Sequence, residues 1–270
     1  ATKAAAKAAT KAAVVAAKLA AKPADTDHDL LICGTCYEEN NVHGFTVCLE
    51  PDLLVQNPSL LSELSADLAE IVRLVPPAAL AILQKTRVYM NRQLMFGKKS
   101  APTIGSGICH HASAKWLARH GNQTEKVGCV ECYNVKHYLT WRREQPAVLL
   151  HELSHHLQFA LGPAADEIIS RTFDGAEASG MYESVKYCRG QMRKHYALTD
   201  NREYFAECSE AFFSSDRFRN DYYPFVRSEL EEFDPAAVKM CEAVWYQLPE
   251  QMQPIRGAGK RAVPIEGGDA

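Results

Sequence analysis

The chain has 270 residues, 47% of them hydrophobic, and 30 Lys and Arg against 33 Asp and Glu give a net charge of -3. That is enough apolar material to bury a full core, and the near balance of charge excludes a strong general attraction to nucleic acid or anionic membrane. No uninterrupted apolar stretch reaches the ~18 residues that cross a bilayer, so no membrane span is expected and the chain reads as soluble.

In chain order, residues 1–29 form an Ala/Lys-rich tail, with Lys3, Lys7, Lys11, Lys18 and Lys22 and no acid before Asp25. A basic helix, part of a targeting segment and a flexible tail all fit this composition. Lys18 and Lys22 break what would be a signal-peptide apolar run, and the chain starts without Met, as after removal of an upstream piece. Residues 30–252 then carry alternating helix and strand patterns. A strand is expected over 43–49, and Leu61, Leu64, Leu68, Ile71 and Leu74 stand at helical spacing over 59–75. Pro76 and Pro77 end that helix. A second helix over 78–84 leads to a strand over 87–91, Ser113 caps a short helix running to Gly121, and 126–133 reads as another strand. Residues 253–270 are rich in Gly and Pro without apolar period, a disordered tail. No internal repeat occurs, so the middle is expected to be one α+β domain.

A third helix is expected between Pro146, which suits a first turn, and Gly162-Pro163, which stops it. Its centre reads LLHELSHHLQF. At about 100° per residue, Leu149, Leu150, Leu153, Leu157 and Ala160 share one face while His151 and His155 lie side by side on another. Two imidazoles can therefore reach one point, with Glu152 near enough to contact a water there without being a ligand. A polar helix face with ordinary surface histidines is the bland alternative. Val148 and Phe159 close the strip at both ends, as suits a helix facing a cleft. His156 borders the leucine stripe and reads as a core histidine or a partner of a ligand.

A catalytic zinc needs a third protein ligand and an open position. Over 201–213, NREYFAECSEAFF is a helical pattern in which Glu203, Glu207 and Glu210 occupy a narrow arc among apolar residues. Glu203 is the candidate ligand, and Glu207, one turn on, the candidate acceptor of a hydrogen bond from a zinc-bound histidine. A capping box with Asp200 is the competing account of Glu203, and Glu210 reads as structural or solvated.

The nine cysteines show no framework spacing, and Asn122-Gln123-Thr124 is an N-glycosylation sequon, so secretion and a cytoplasmic location both stay open. Cys33, Cys36, His43 and Cys48 give C-x2-C-x6-H-x4-C, near a zinc-knuckle spacing. With the lysine-rich tail it suggests a rival class, a zinc-containing nucleic-acid-binding module. Against it, the spacing is irregular and His43 falls in a strand pattern. Cys129 and Cys132, three apart on an expected strand, point to opposite faces and suit no single metal.

HELSH, followed 48 residues after its second His by EYFAE, resembles the gluzincin metallopeptidases, thermolysin and the catalytic domain of anthrax lethal factor among them. A closer resemblance, over roughly residues 42–247, is to a bacterial and fungal metallopeptidase group. HGFTV, HASAKWL at 111–117, VECYN, QPAVLLHELSHH, HYALTDNREYFAE and YYPFVRSEL carry it, although that group usually has Pro where Ala112 stands. The resemblance implies a zincin-like fold with a small mixed sheet, and one Zn2+ on His151, His155 and Glu203. It also implies a zinc-activated water with Glu152 as general base, and a peptide or protein substrate pairing with an edge strand, for which the stretch 126–133 is the candidate. Tyr196 stands seven residues before Glu203, the offset of a tyrosine beside the zinc in lethal factor, and is the expected oxyanion donor ahead of His195. A core aromatic with a satisfied hydroxyl is the alternative for Tyr196. Specificity is expected from loops such as 163–194. A monomeric zinc endopeptidase without specific nucleic-acid binding is the reading, and a catalytically silent zincin the remaining alternative.

Overall fold

A tight hairpin comes first among the described elements. In the computed structural model, which describes residues 31, 36–217 and 220–252, β1 (Glu38–Val42) and β2 (Phe45–Leu49) pair antiparallel around His43 and Gly44, both at positive φ. The expectations for the two tails lie outside the described residues. Three helices, α1 (Leu53–Gln56), α2 (Leu60–Leu74) and α3 (Pro77–Leu83), return the chain to β3 (Arg87–Met90), which runs parallel to β2. A separate hairpin, β4 (Met95–Lys98) and β5 (Ala101–Ile104), precedes β6 (Ile108–His110), α4 (Ala114–Arg119), β7 (Val130–Cys132) and α5 (Val135–Glu144). The main sheet has the order β1-β2-β3-β7-β6, with β6 antiparallel to β7.

The rest is mostly helical: α6 (Val148–Leu161), α7 (Pro163–Ser179), the short pair β8 (Val185–Lys186) and β9 (Met192–Arg193), and a 3-10 turn at Tyr196–Thr199. Then follow α8 (Asn201–Phe213), α9 (Arg227–Phe233), α10 (Pro235–Glu242), a π-helical stretch at Ala243–Gln247 and α11 (Leu248–Gln251). The architecture is α+β. No helix among the described residues is long and apolar enough to cross a membrane.

The leucine spacing of α2 buries Leu60, Leu64, Leu68 and Ile71 in one core with Phe45, Val47 and Val88 of the sheet. The same core takes in Leu149, Leu153 and Leu157 of α6 and Tyr204, Phe205 and Phe212 of α8, so these two helices are the interior pair of the helical layer. A helix apolar on most sides belongs there, and α6 buries both its leucines and its His151 and Glu152.

Two expectations change. The stretch 126–133 is a strand only over Val130–Cys132, because Thr124–Lys126 is a 3-10 turn and Gly128 sits at φ 79. Nor is it an edge: β7 lies between β3 and β6, and β6 is the terminal strand. The expected loop over 163–194 is largely α7, since Pro163 stops α6 by starting a new helix at its first position.

The cysteine reading meets the structure well. Cys132 lies in the main core and Cys129 in a cluster with Cys48 and Tyr89, so the two do occupy different surroundings. All described cysteines are free thiols. Asn122 is buried and its Nδ2 donates to Glu131 Oε2 at 2.8 Å, which is no setting for a glycan on that nitrogen.

Candidate metal centre

Helix α8 begins with a side-chain cap. Asp200 Oδ1 accepts from the backbone N–H of Arg202 at 2.9 Å and of Glu203 at 3.0 Å, satisfying donors that no carbonyl can reach. The cap and the ligand reading of Glu203 are thus compatible: its backbone serves Asp200 while its carboxylate turns toward α6. There Glu203 Oε2 lies 3.0 Å from His151 Nε2 and 3.5 Å from His155 Nε2. Two ring nitrogens meet one carboxylate oxygen because His151 and His155, four apart, stand above one another on α6.

Tetrahedral zinc with bonds of about 2.1 Å would set its ligand atoms roughly 3.4 Å apart. The three candidate ligand atoms lie within 4.8 Å of one another, so this donor set fits a small divalent cation. Burial alone would raise the Glu203 pKa, but His155 and His151 beside it hold its carboxyl well below the usual carboxylate range. The group is an anion ready to meet a cation.

The far nitrogen of His151 has its own partner. His151 Nδ1 lies 2.7 Å from Glu210 Oε1, whereas Glu207 Oε1 is 3.8 Å away, beyond hydrogen-bonding range. Gln145 Nε2 donates to the same Glu210 oxygen at 3.0 Å. The partner role expected of Glu207 therefore falls to Glu210. Residues seven apart on a helix return to one stripe, offset by only about 20°, while four apart they are displaced by about 40°. Glu203 and Glu210 face α6 together. His151, Glu207 and Glu210 form a second buried group of donor atoms sharing the same ring.

The other expected residues separate clearly. Glu152 is buried, and its Oε2 accepts the backbone N–H of His110 on β6 at 2.9 Å. Tyr196 donates its hydroxyl to Glu203 Oε1 at 3.2 Å, so it stands at the centre. His195 caps the 3-10 turn: its Nδ1 accepts the backbone N–H of Ala197 and its ring stacks on Tyr222 at 4.7 Å. His156 packs edge-on against His110 at 5.7 Å, and burial lowers its pKa, as suits a neutral core histidine.

Of the four knuckle positions, Cys33 lies outside the described residues. His43 Nε2 is 2.9 Å from Ser65 Oγ at the hairpin turn, Cys36 is exposed, and Cys48 is buried against Tyr89. Cys36, His43 and Cys48 form no group that could hold a metal. Cys36, before the hairpin, His43 at its turn and Cys48 on β2 are spread out instead of converging.

Sequence reasoning missed a buried polar network on β7. Glu131 is fully buried and meets Lys126 Nζ at 2.6 Å, His111 Nε2 at 2.7 Å, Asn122 Nδ2 at 2.8 Å and Asn91 Nδ2 at 3.1 Å. A charge between apolar neighbours in VECY was the available signal, since such a group must be paired. No family model, curated protein or solved structure matches the chain.

Proposed function

We propose that the protein is a zinc-dependent peptidase whose metal is held by His151, His155 and Glu203. The convergence of both Nε2 atoms on Glu203 Oε2 carries this reading, and the resemblance of HELSH and EYFAE to gluzincins, with the zincin-like fold it implies, supports it. Zinc, when bound, would polarise the scissile carbonyl and make water acidic enough to react near neutral pH.

The chain's own residues supply the rest. With Oε2 held by His110 N, Glu152 can take the water's proton on Oε1 and deliver it to the leaving amine. Glu210 fixes the ring of His151 and directs its Nε2 to the metal. The Tyr196 hydroxyl, beside Glu203, can donate to the oxyanion that develops as water adds.

Strand β6 is a terminal strand beside Glu152. Gly107, Cys109 and His111 turn their backbone groups to β7, so Ile108 and His110 turn theirs the other way, where the His110 N–H is taken by Glu152 Oε2. A peptide substrate would pair with the backbone groups of Ile108 and the His110 carbonyl through main-chain hydrogen bonds.

Metal analysis of the purified protein, combined with cleavage of a peptide library, tests the proposal. About one zinc per chain is expected, lost on alanine substitution of His151, His155 or Glu203. Glu152→Gln is expected to keep zinc and abolish hydrolysis. Zinc retained by all three ligand variants would end the proposal, and zinc bound without any cleavage would favour a catalytically silent zincin.

A further inference from the structure

His155 and Glu203 themselves line a cavity of about 220 Å³, together with His110. Typical whole-ligand pockets run to about 300–1,000 Å³, so this one suits a single side chain. Its walls differ. Ala112 and Phe159 are apolar, and Phe159, one turn after His155, is 44% exposed on a helix that is otherwise largely buried. The polar lining outside the centre is Gln158, Asp166 and Arg202.

The charges on that wall are unequal. Arg202 is already committed, its guanidinium 2.7 Å from Asp200. Asp166, in the first turn of α7, is exposed and hydrogen-bonded by the neutral Gln158, whose Nε2 donates to Oδ1 at 2.8 Å. That bond engages Oδ1 of a carboxylate that lines the cavity. Because Asp200 pairs with Arg202, Asp166 is the charge on that wall that an incoming cation can meet.

We infer that this cavity receives a lysine or arginine side chain next to the scissile bond, and that Asp166 is the residue that selects it. The inference rests on the peptidase reading of the adjoining centre. Phe159 and Ala112 cover the methylene stem, which packs on apolar surface while its charged end reaches a carboxylate. The terminal ammonium or guanidinium forms a charge-assisted hydrogen bond with the Asp166 carboxylate. An aliphatic side chain would desolvate Asp166 without pairing it, and an acidic one would meet like charge.

The test uses the full chain loaded with zinc, and hexapeptides that differ only in Lys, Arg, Leu or Glu beside the scissile bond. Lysine and arginine peptides are expected to show the highest kcat/KM. Asp166→Asn should lower the lysine-to-leucine ratio roughly tenfold, the size of one charge-assisted hydrogen bond, and Asp166→Lys should turn the preference toward glutamate. Equal cleavage of lysine and leucine peptides, or a ratio unchanged in Asp166→Asn at parental zinc content, overturns the inference and leaves the peptidase reading standing. A second readout needs no turnover: zinc-loaded Glu152→Gln should bind fluorescent lysine peptides more tightly than leucine peptides, and lose that difference when Asp166→Asn is added. If no peptide is cleaved, the peptidase reading falls, and equal or absent binding in this assay overturns the pocket inference as well.

Discussion

Glu210 Oε1 lies 2.7 Å from His151 Nδ1, which joins the first turn of α6 to a carboxylate two turns beyond Glu203 on α8. One imidazole thereby spans two carboxylates, with Glu203 Oε2 3.0 Å from its other nitrogen. This fixes the ring orientation.

Replacing Glu210 by Gln should therefore loosen the metal. A loss of about 10–100-fold in zinc affinity or activity is expected, as for other outer partners of a ligating histidine. Glu207→Gln should lose clearly less, because its carboxylate is 3.8 Å from the ring. Competition with a chromogenic chelator measures both. A larger loss for Glu207→Gln would reverse the assignment.

Tyr196→Phe should leave zinc affinity within a few-fold of the parent and lower kcat with little change in KM. The hydroxyl's one bond to Glu203, at 3.2 Å, is a long one, and a donor acting on developing charge is worth about 10²–10³ in kcat. If zinc is lost in step with activity, Tyr196 serves only to position Glu203.

Asp200 offers a test of how the cap and the centre are linked. Asp200→Ala removes the acceptor of two backbone N–H groups and should destabilise the fold by about 1 kcal/mol in urea denaturation. Asp200→Asn, which can still cap, should recover most of this. Since the capped turn carries Glu203, the alanine variant should also bind zinc more weakly, and the asparagine variant should not.

The network around Glu131 makes a prediction about pH. Burial alone would lower the His111 pKa, but Cys109 and Glu131 beside it outweigh this and raise it to about 10. A folded-state value above the unfolded one, about 6.5, means that the folded protein binds more protons between the two. The stabilisation from His111 is thus complete below about pH 6.5 and lost as pH rises through about 10. For Glu131, burial would raise the pKa, yet His111 and Lys126 lower it to about 2. Its contribution is present above the unfolded value of about 4.3 and fades as pH falls through about 2. Thermal melts of the parent and His111→Gln across pH 6–10 should converge toward the alkaline end. Parallel curves would show that His111 does not titrate in that range.

Much of the centre was legible because it depends on geometry within one helix. Four-residue spacing puts His151 and His155 on one side of α6 whatever the surroundings, and Asp200 before a helical run caps α8 by local bonding alone. The same holds for Ser113, whose side chain accepts the N–H of Trp116 as its position implied. What lay beyond sequence were distances between elements. Glu207 and Glu210 share an arc on α8, and only the way that helix lies against α6 decides that the second reaches His151. Which strand ends the sheet is likewise set by pairing between distant segments, and it gave the edge to β6 in place of β7. The cysteine and histidine spacing near the start shows the converse: of a linear pattern close to a metal site, the described members Cys36, His43 and Cys48 lie in separate environments. Helical periodicity holds over a few residues and carries angular information, whereas packing between elements depends on every side chain in the interface. Sequence therefore determined which residues point together, and the tertiary structure decided what they meet.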